Sequence, residues 1–167
     1  MKFNKTLLIG LLIAIVIFYL SFKTTKKVMN KLSRGMRNNN PFNIRKSSIN
    51  WQGKIINSSD KDFEQFETLE YGIRAGLINL RSYLNKGFDT VKKIIARYSP
   101  VDDPGNAPGS TNNYINFVAR KLNVDINETI DKSQLIDLAY AILLFEAGKQ
   151  EITLDEIKAV NTKFKIV

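Results

Sequence analysis

The sequence predicts a mainly helical α+β domain that carries a small antiparallel β-lobe and follows one transmembrane helix. Three features predict it. Residues 6–22 form an apolar run without a charge. Residues 42–66 alternate short apolar runs with turn formers. From Thr68 onward, apolar residues recur at spacings of three and four, the period of helices that bury one face.

The apolar run reads TLLIGLLIAIVIFYLSF, seventeen residues. Spanning helices take roughly 17–25. A buried core helix is seldom apolar on every side with lysines at both ends; here Lys5 precedes the run and Lys23 follows it. A cleaved signal peptide would share the basic start, but its cut requires small residues at set positions. The run instead ends in Tyr19, Leu20, Ser21, Phe22 and Lys23. The expectation is an uncleaved single-pass anchor over residues 1–23, a basic stem over 24–33 and a soluble domain over 34–167, with a lipid bilayer as one partner. More basic residues follow the run than precede it, so the positive-inside rule places the domain on the cytoplasmic face.

The net charge of +9 suggests nucleic-acid binding until it is divided by segment. Ten of the 25 basic residues, and no acid, lie in residues 1–46. Fifteen remain against sixteen acids in residues 47–167, a net charge of about −1. The basicity belongs to the stem, where lysines meet anionic headgroups, and nucleic acid is not an expected partner. Cysteine and histidine are absent. That excludes disulfides, Cys or His metal sites, cysteine nucleophiles and His-based triads. No metal or cofactor is expected, and any chemistry runs on carboxylates, hydroxyls, amines or amides.

Gly35-Met-Arg-Asn-Asn-Asn-Pro-Phe-Asn43 cannot continue a helix, because three asparagines before a proline favour turns and extended backbone. Residues 42–45, 51–56 and 62–66 have strand character, punctuated by Asn50, Gly53 and the Asn57-Ser58-Ser59-Asp60 cluster. Thr68 then caps a helix with Ile73, Leu77, Leu80 and Leu84 on one face, ending near Lys86-Gly87. Asp89 or Thr90 caps a second, with Val91, Ile94, Ile95 and Tyr98 inward. Residues 99–110 hold three of the four prolines and form a loop. A third helix covers roughly 112–122, with Tyr114, Ile115, Val118 and Leu122 inward. A fourth, capped by Asp131, runs to Ala147 and stops at Gly148. The last opens on Thr153-Leu-Asp-Glu156, a capping box.

The string GMRNNNPFNIR over residues 35–45 resembles the G-[IM]-R-N-N-N-P-x-N-[IL]-R signature of a phage family of lysozyme-like or lytic-transglycosylase-like virion proteins. The resemblance continues in order. It takes in Trp51-Gln52-Gly53, the DFEQF of residues 62–66, the YGIRA of 71–75, the IIARYSP of 94–100 and Asn112-Asn113-Tyr114. It covers about residues 34–148. It implies a lysozyme-like fold with the small β-lobe and a peptidoglycan-processing activity that cleaves glycan strands. It also implies placement in a virion membrane or the host cytoplasmic membrane, with other virion proteins as further partners. The alternative is a non-catalytic structural membrane protein of a membrane-containing phage virion.

Glycan cleavage suits a chain without His or Cys. One glutamic acid with a raised pKa protonates the glycosidic oxygen, and in the lytic-transglycosylase variant it then takes the proton of the sugar's own hydroxyl. Lysozyme-like relatives usually carry that acid shortly before the N-N-N-P segment, but this chain has no acid before Asp60. The candidate is Glu146 in AILLFEAG, residues 141–148, which resembles the A-I-x-x-x-E-[SN]-G element of lytic transglycosylases. The bland reading is a solvated end-of-helix residue. Glu70 and Glu64 are second choices, although Glu70 also suits the first turn of a helix.

Asn38, Asn39, Asn40 and Asn43 are candidate ligands for glycan acetamido and hydroxyl groups, or they fix a tight loop through their own contacts. Trp51 and Tyr98 are candidate sugar-stacking platforms, or core. Arg37, Arg45 and Arg74 would pair with peptide-stem carboxylates, or internally with Asp60 and Asp62.

Overall fold

The computed structural model describes residues 5–29, 32–102, 107–147 and 152–167. The chain divides into two compact units, Met1–Ser33 and Arg34–Val167.

The first unit holds one helix, α1 (Lys5–Met29). Thr24 Oγ1 donates back to the Leu20 carbonyl at 2.9 Å, the usual way a helical threonine satisfies its hydroxyl. Among the described residues, no helix is long and apolar enough to cross a membrane. The expected transmembrane anchor is corrected on this finding. So is the expected single-pass location in a virion or host cytoplasmic membrane. Lys2 and Lys31, two of the basic residues on either side of the apolar run, lie outside the described residues.

The second unit begins with a single helical turn, α2 (Arg34–Arg37), followed by an irregular stretch up to Thr68. The predicted β-lobe falls in this stretch and does not form, so the α+β class is corrected to all-helical. Among the described residues there is no strand, only isolated antiparallel bridges such as Arg45 with Phe63 and Lys54 with Phe66. Residues 62–67 do lie between two partners, as a middle strand would. Glu64 N–H donates to Ile44 O (2.8 Å) and Lys46 N–H to Asp62 O (2.9 Å). On the other side, Ile55 N–H donates to Gln65 O (2.8 Å) and Glu67 N–H to Gly53 O (2.9 Å). Each ladder stops after one bridge. Left-handed backbone at Asn43 (φ 47°) and Gly53 (φ 71°), next to or two residues from the pairing positions, interrupts the extended chain a ladder requires.

Five longer helices follow: α3 (Leu69–Asn85), α4 (Val91–Tyr98), α5 (Ser110–Leu122), α6 (Leu135–Ala147, led in by a 3₁₀ turn, Lys132–Gln134) and α7 (Leu154–Phe164). Their starts follow the capping residues. Thr68 accepts from Tyr71 N–H, Thr90 from Lys93 N–H and Asp131 from Ser133 N–H. Thr153 and Glu156 form a reciprocal capping box. Asn123, in left-handed conformation, ends α5. The expected stop at Gly148 lies outside the described residues.

Helix α6 (LIDLAYAILLFEA) is apolar on nearly every side, so it is stable only when covered all round. The fold supplies that cover, since α6 packs against α3, α5 and α7. Leu138, Ala139 and Ile142 are fully buried, as are Leu77 and Leu80 of α3, Val118 of α5 and Ile157 of α7. α4 packs on α3 and α5, burying Val91, Ile94 and Ile95. The last turn of this central helix carries Glu146.

Candidate active site

The asparagine segment is built first, because it forms one wall of the site. Asn40, wholly buried, donates to the carbonyls of Ile44 and Glu64 and accepts from Ile44 N–H, each at 2.9 Å. Asn38 donates to Asp60 Oδ2 and accepts from Gln65 Nε2, both at 2.8 Å. Asn39, at φ 49°, donates to Phe66 O at 3.0 Å. These three side chains are engaged in holding the loop, which leaves Asn43 as the asparagine turned towards the candidate acid. Asn43 also sits at positive φ (47°), which asparagine tolerates better than most residues. Arg34 clamps the same loop through a two-pronged contact to Asp60 (2.7 and 2.8 Å) and a bond to Asp62 (2.7 Å). The Arg34 hydrogen bonds, helped by Asn38 and two backbone N–H groups, hold the Asp60 carboxyl well below the ordinary range.

Asn43 Nδ2 donates to Glu146 Oε2 at 2.7 Å, joining residues 103 apart in the chain. The other oxygen, Oε1, accepts from the Tyr114 hydroxyl at 2.9 Å. Tyr114 comes from the inward face of α5 and is held on both sides. It stacks on Phe145 (centroids 3.8 Å apart) and meets Tyr98 edge-on at 6.2 Å. The Tyr98 hydroxyl in turn donates to the Phe42 carbonyl, next to Asn43. Burial pushes the Glu146 carboxyl above the usual glutamate value, while the hydrogen bonds from Asn43 and Tyr114 limit the rise. Burial likewise pushes both tyrosine hydroxyls well above their ordinary value, so they remain donors.

The carboxyl opens on a cleft of about 570 Å³ whose walls include Asn43, Trp51, Tyr83, Tyr98 and Glu146. Glu146 is the one carboxylic acid among the described residues that line it, beside the cations Arg45, Lys46 and Arg97. Trp51 is largely buried, with an indole N–H that has no partner among the described residues, and its ring is wall rather than platform.

The second-choice acids lie elsewhere. Glu64 is wholly buried, pairs with Lys54 at 2.8 Å and accepts from Ser47 N–H at 2.9 Å. Glu70 is exposed on α3 and pairs with Lys163 of α7. Neither is among the residues lining the Glu146 cleft. Sequence reasoning treated Tyr114 only as core and missed its contact with the acid. Its place in Asn112-Asn113-Tyr114, one of the matching elements, was the available signal. No clustering of acids that could hold a metal occurs among the described residues.

A carboxyl whose pKa is raised on folding stabilises the fold below the unfolded value and loses that contribution as pH climbs through the folded value. Above that value the fold carries the cost of a partly buried charge. Glu146→Gln is therefore expected to raise the melting temperature near pH 8 by a few degrees, on the order of 1 kcal/mol. The gain should shrink towards pH 4, and parallel melts across that range check it.

No established protein-family profile matches the chain. It is 38% identical over 134 residues to a curated relative, "Protein P5" of Pseudoalteromonas phage PM2, an alignment that takes in 78% of this chain and 81% of the relative. That degree of identity over most of both chains sets a common ancestry and a common fold, and the chain belongs to the family of phage PM2 Protein P5.

Proposed function

We propose that the domain cleaves the glycan strands of peptidoglycan in the manner of a lytic transglycosylase, with Glu146 as acid and then base. The observation that carries this reading is Glu146 itself, the one acid among the described residues lining an open cleft, kept protonated beyond its ordinary range by burial. Two-carboxylate hydrolysis needs a second Asp or Glu facing the first across the scissile bond. The described lining offers none, whereas internal attack by a sugar hydroxyl needs only one.

In this mechanism the Glu146 proton moves to the glycosidic oxygen as the C–O bond breaks, and the bonding electrons leave with that oxygen. The resulting carboxylate takes the proton of the sugar's own hydroxyl, whose oxygen bonds to the electron-poor anomeric carbon. The proton ends where it began, and one strand end closes as an anhydro ring. Asn43 and Tyr114 fit both halves of the cycle. Their donors stabilise the carboxylate formed in the first half. When Glu146 is protonated, the Tyr114 hydroxyl can turn towards the Ile142 carbonyl, 3.5 Å away, and accept from the acid. Descent from a phage protein family supports assigning this activity to a phage particle that must pass a bacterial wall.

A second reading is a non-catalytic virion component. It is favoured by the engagement of both Glu146 oxygens in hydrogen bonds to Asn43 and Tyr114. Incubating the full chain with purified peptidoglycan separates the two. Anhydro-ended fragments, identified by mass, are the expected product. Reducing ends would instead assign the attack to water, and the absence of fragments would favour the second reading.

A further inference from the structure

Next to the Glu146 cleft lies a second groove of about 640 Å³, and the two share Ile49 and Trp51 in their walls. Arg74 of α3 lines this second groove. Its guanidinium lies over the Phe164 ring, 5.4 Å from the centroid, and is only half-buried. Among the described residues it has no hydrogen bond and no ion pair, and its Nε is out of contact with solvent and unpartnered. Arg34, by contrast, is held by Asp60 and Asp62. An arginine held on an aromatic ring has its planar fork oriented in advance, and that fork matches a carboxylate in two-pronged geometry. Lys54 also lines the groove, but its charge is offset by Glu64. Glu67, exposed, is the one acid among the described residues that line the groove.

We propose that this groove binds a carboxylate-bearing peptide, with Arg74 as the residue that recognises the carboxylate. The inference deepens the proposed function and rests on it for one identification. If the glycan lies along the Glu146 cleft, then the chemistry beside it across Trp51 is the peptide stem that the glycan carries. The groove would then discriminate stem-bearing strands from bare ones, a matter of substrate binding and not of bond cleavage.

Binding of a short stem peptide with a free carboxylate, and of its carboxamide analogue, to the full chain measures this without calling on catalysis. The parent is expected to bind the acid at least fivefold more tightly than the amide. Arg74→Met keeps the apolar stem over Phe164 and should erase that preference. Glu67→Gln removes the like charge from the groove lining and should tighten acid binding about twofold to threefold. Melting curves of both variants confirm that they fold. No binding to the parent, equal affinity for acid and amide, or a preference that survives Arg74→Met would each overturn the inference. Glycan cleavage is read separately, on strands stripped of their peptides. If those stay intact while the peptide preference is present, the cleavage mechanism fails and the carboxylate site stands.

Discussion

Glu146→Gln is expected to reduce release of glycan fragments by roughly two to four orders of magnitude, the usual worth of a positioned general acid. The substitution keeps the shape of the side chain and an oxygen for Tyr114 to donate to, so the cleft stays filled. It removes the one group there that can give a proton and take it back. Initial rates on purified peptidoglycan, parent against variant, read the loss. The parent's rate should also fall as pH rises through the elevated folded pKa of Glu146, because the first step needs the protonated acid. Stability provides the control, since the same variant is expected to melt higher at pH 8 while losing activity. A variant as active as the parent would remove Glu146 from the chemistry. Glu64 could not replace it, because it is wholly buried, held by Lys54 and Ser47, and not among the described residues that line the cleft.

The second large effect concerns a glycine far from any proton. On α3, Gly72 and Gly76 lie one turn apart and face residues 39–42. A methyl group added at Gly72 would come within 1.7 Å of the Asn39 carbonyl oxygen, and one at Gly76 within 2.1 Å of the Phe42 ring. In an open helix, exchanging Gly for Ala gains about 1 kcal/mol. Here the obstacle at Gly72 is backbone, fixed by the hydrogen bonds of Asn38, Asn39 and Asn40, and has no rotamer into which it can move. Gly72→Ala is therefore expected to lower stability by about 3 kcal/mol, at the upper end of overpacking costs. That corresponds to a fall of roughly 10 °C in a domain of this size. Thermal unfolding followed by circular dichroism measures it. A neutral or stabilised variant would mean that the loop does not lie against the helix as described. Because the loop carries Asn43, glycan cleavage should fall along with stability.

The helices were legible because their signals are local. Thr68, Thr90, Asp131 and Thr153 each sit where a polar side chain precedes an apolar period, and each caps a helix. The β-lobe was misread for a reason equally physical. Residues 42–66 have strand-like composition, but Asn43 and Gly53 take left-handed backbone, and that choice is set by tertiary contacts. One is the Asn43 bond to Glu146; another is the close approach of the Tyr71 ring to Gly53. The apolar run at the start shows composition, while among the described residues no helix is long and apolar enough to cross a membrane. For the site, Glu146 could be singled out by its setting in AILLFEAG. Tyr114 could not, because an inward tyrosine on an amphipathic helix looks the same whether its hydroxyl meets a backbone carbonyl or an acid.

The bond between Asn43 and Glu146 also has a meaning in time. It closes a loop of 103 residues, and such distant pairings form late, after the local helices have assembled. Until the asparagine segment docks, Glu146 lacks one of its two donors and one wall of its cleft. The carboxyl is then more open to water, and the burial that favours its protonated form is incomplete. On the proposed mechanism, a chain that is helical but has not yet docked the asparagine segment would be inert towards glycan, because the acid and its cleft are completed by a contact between residues 103 apart.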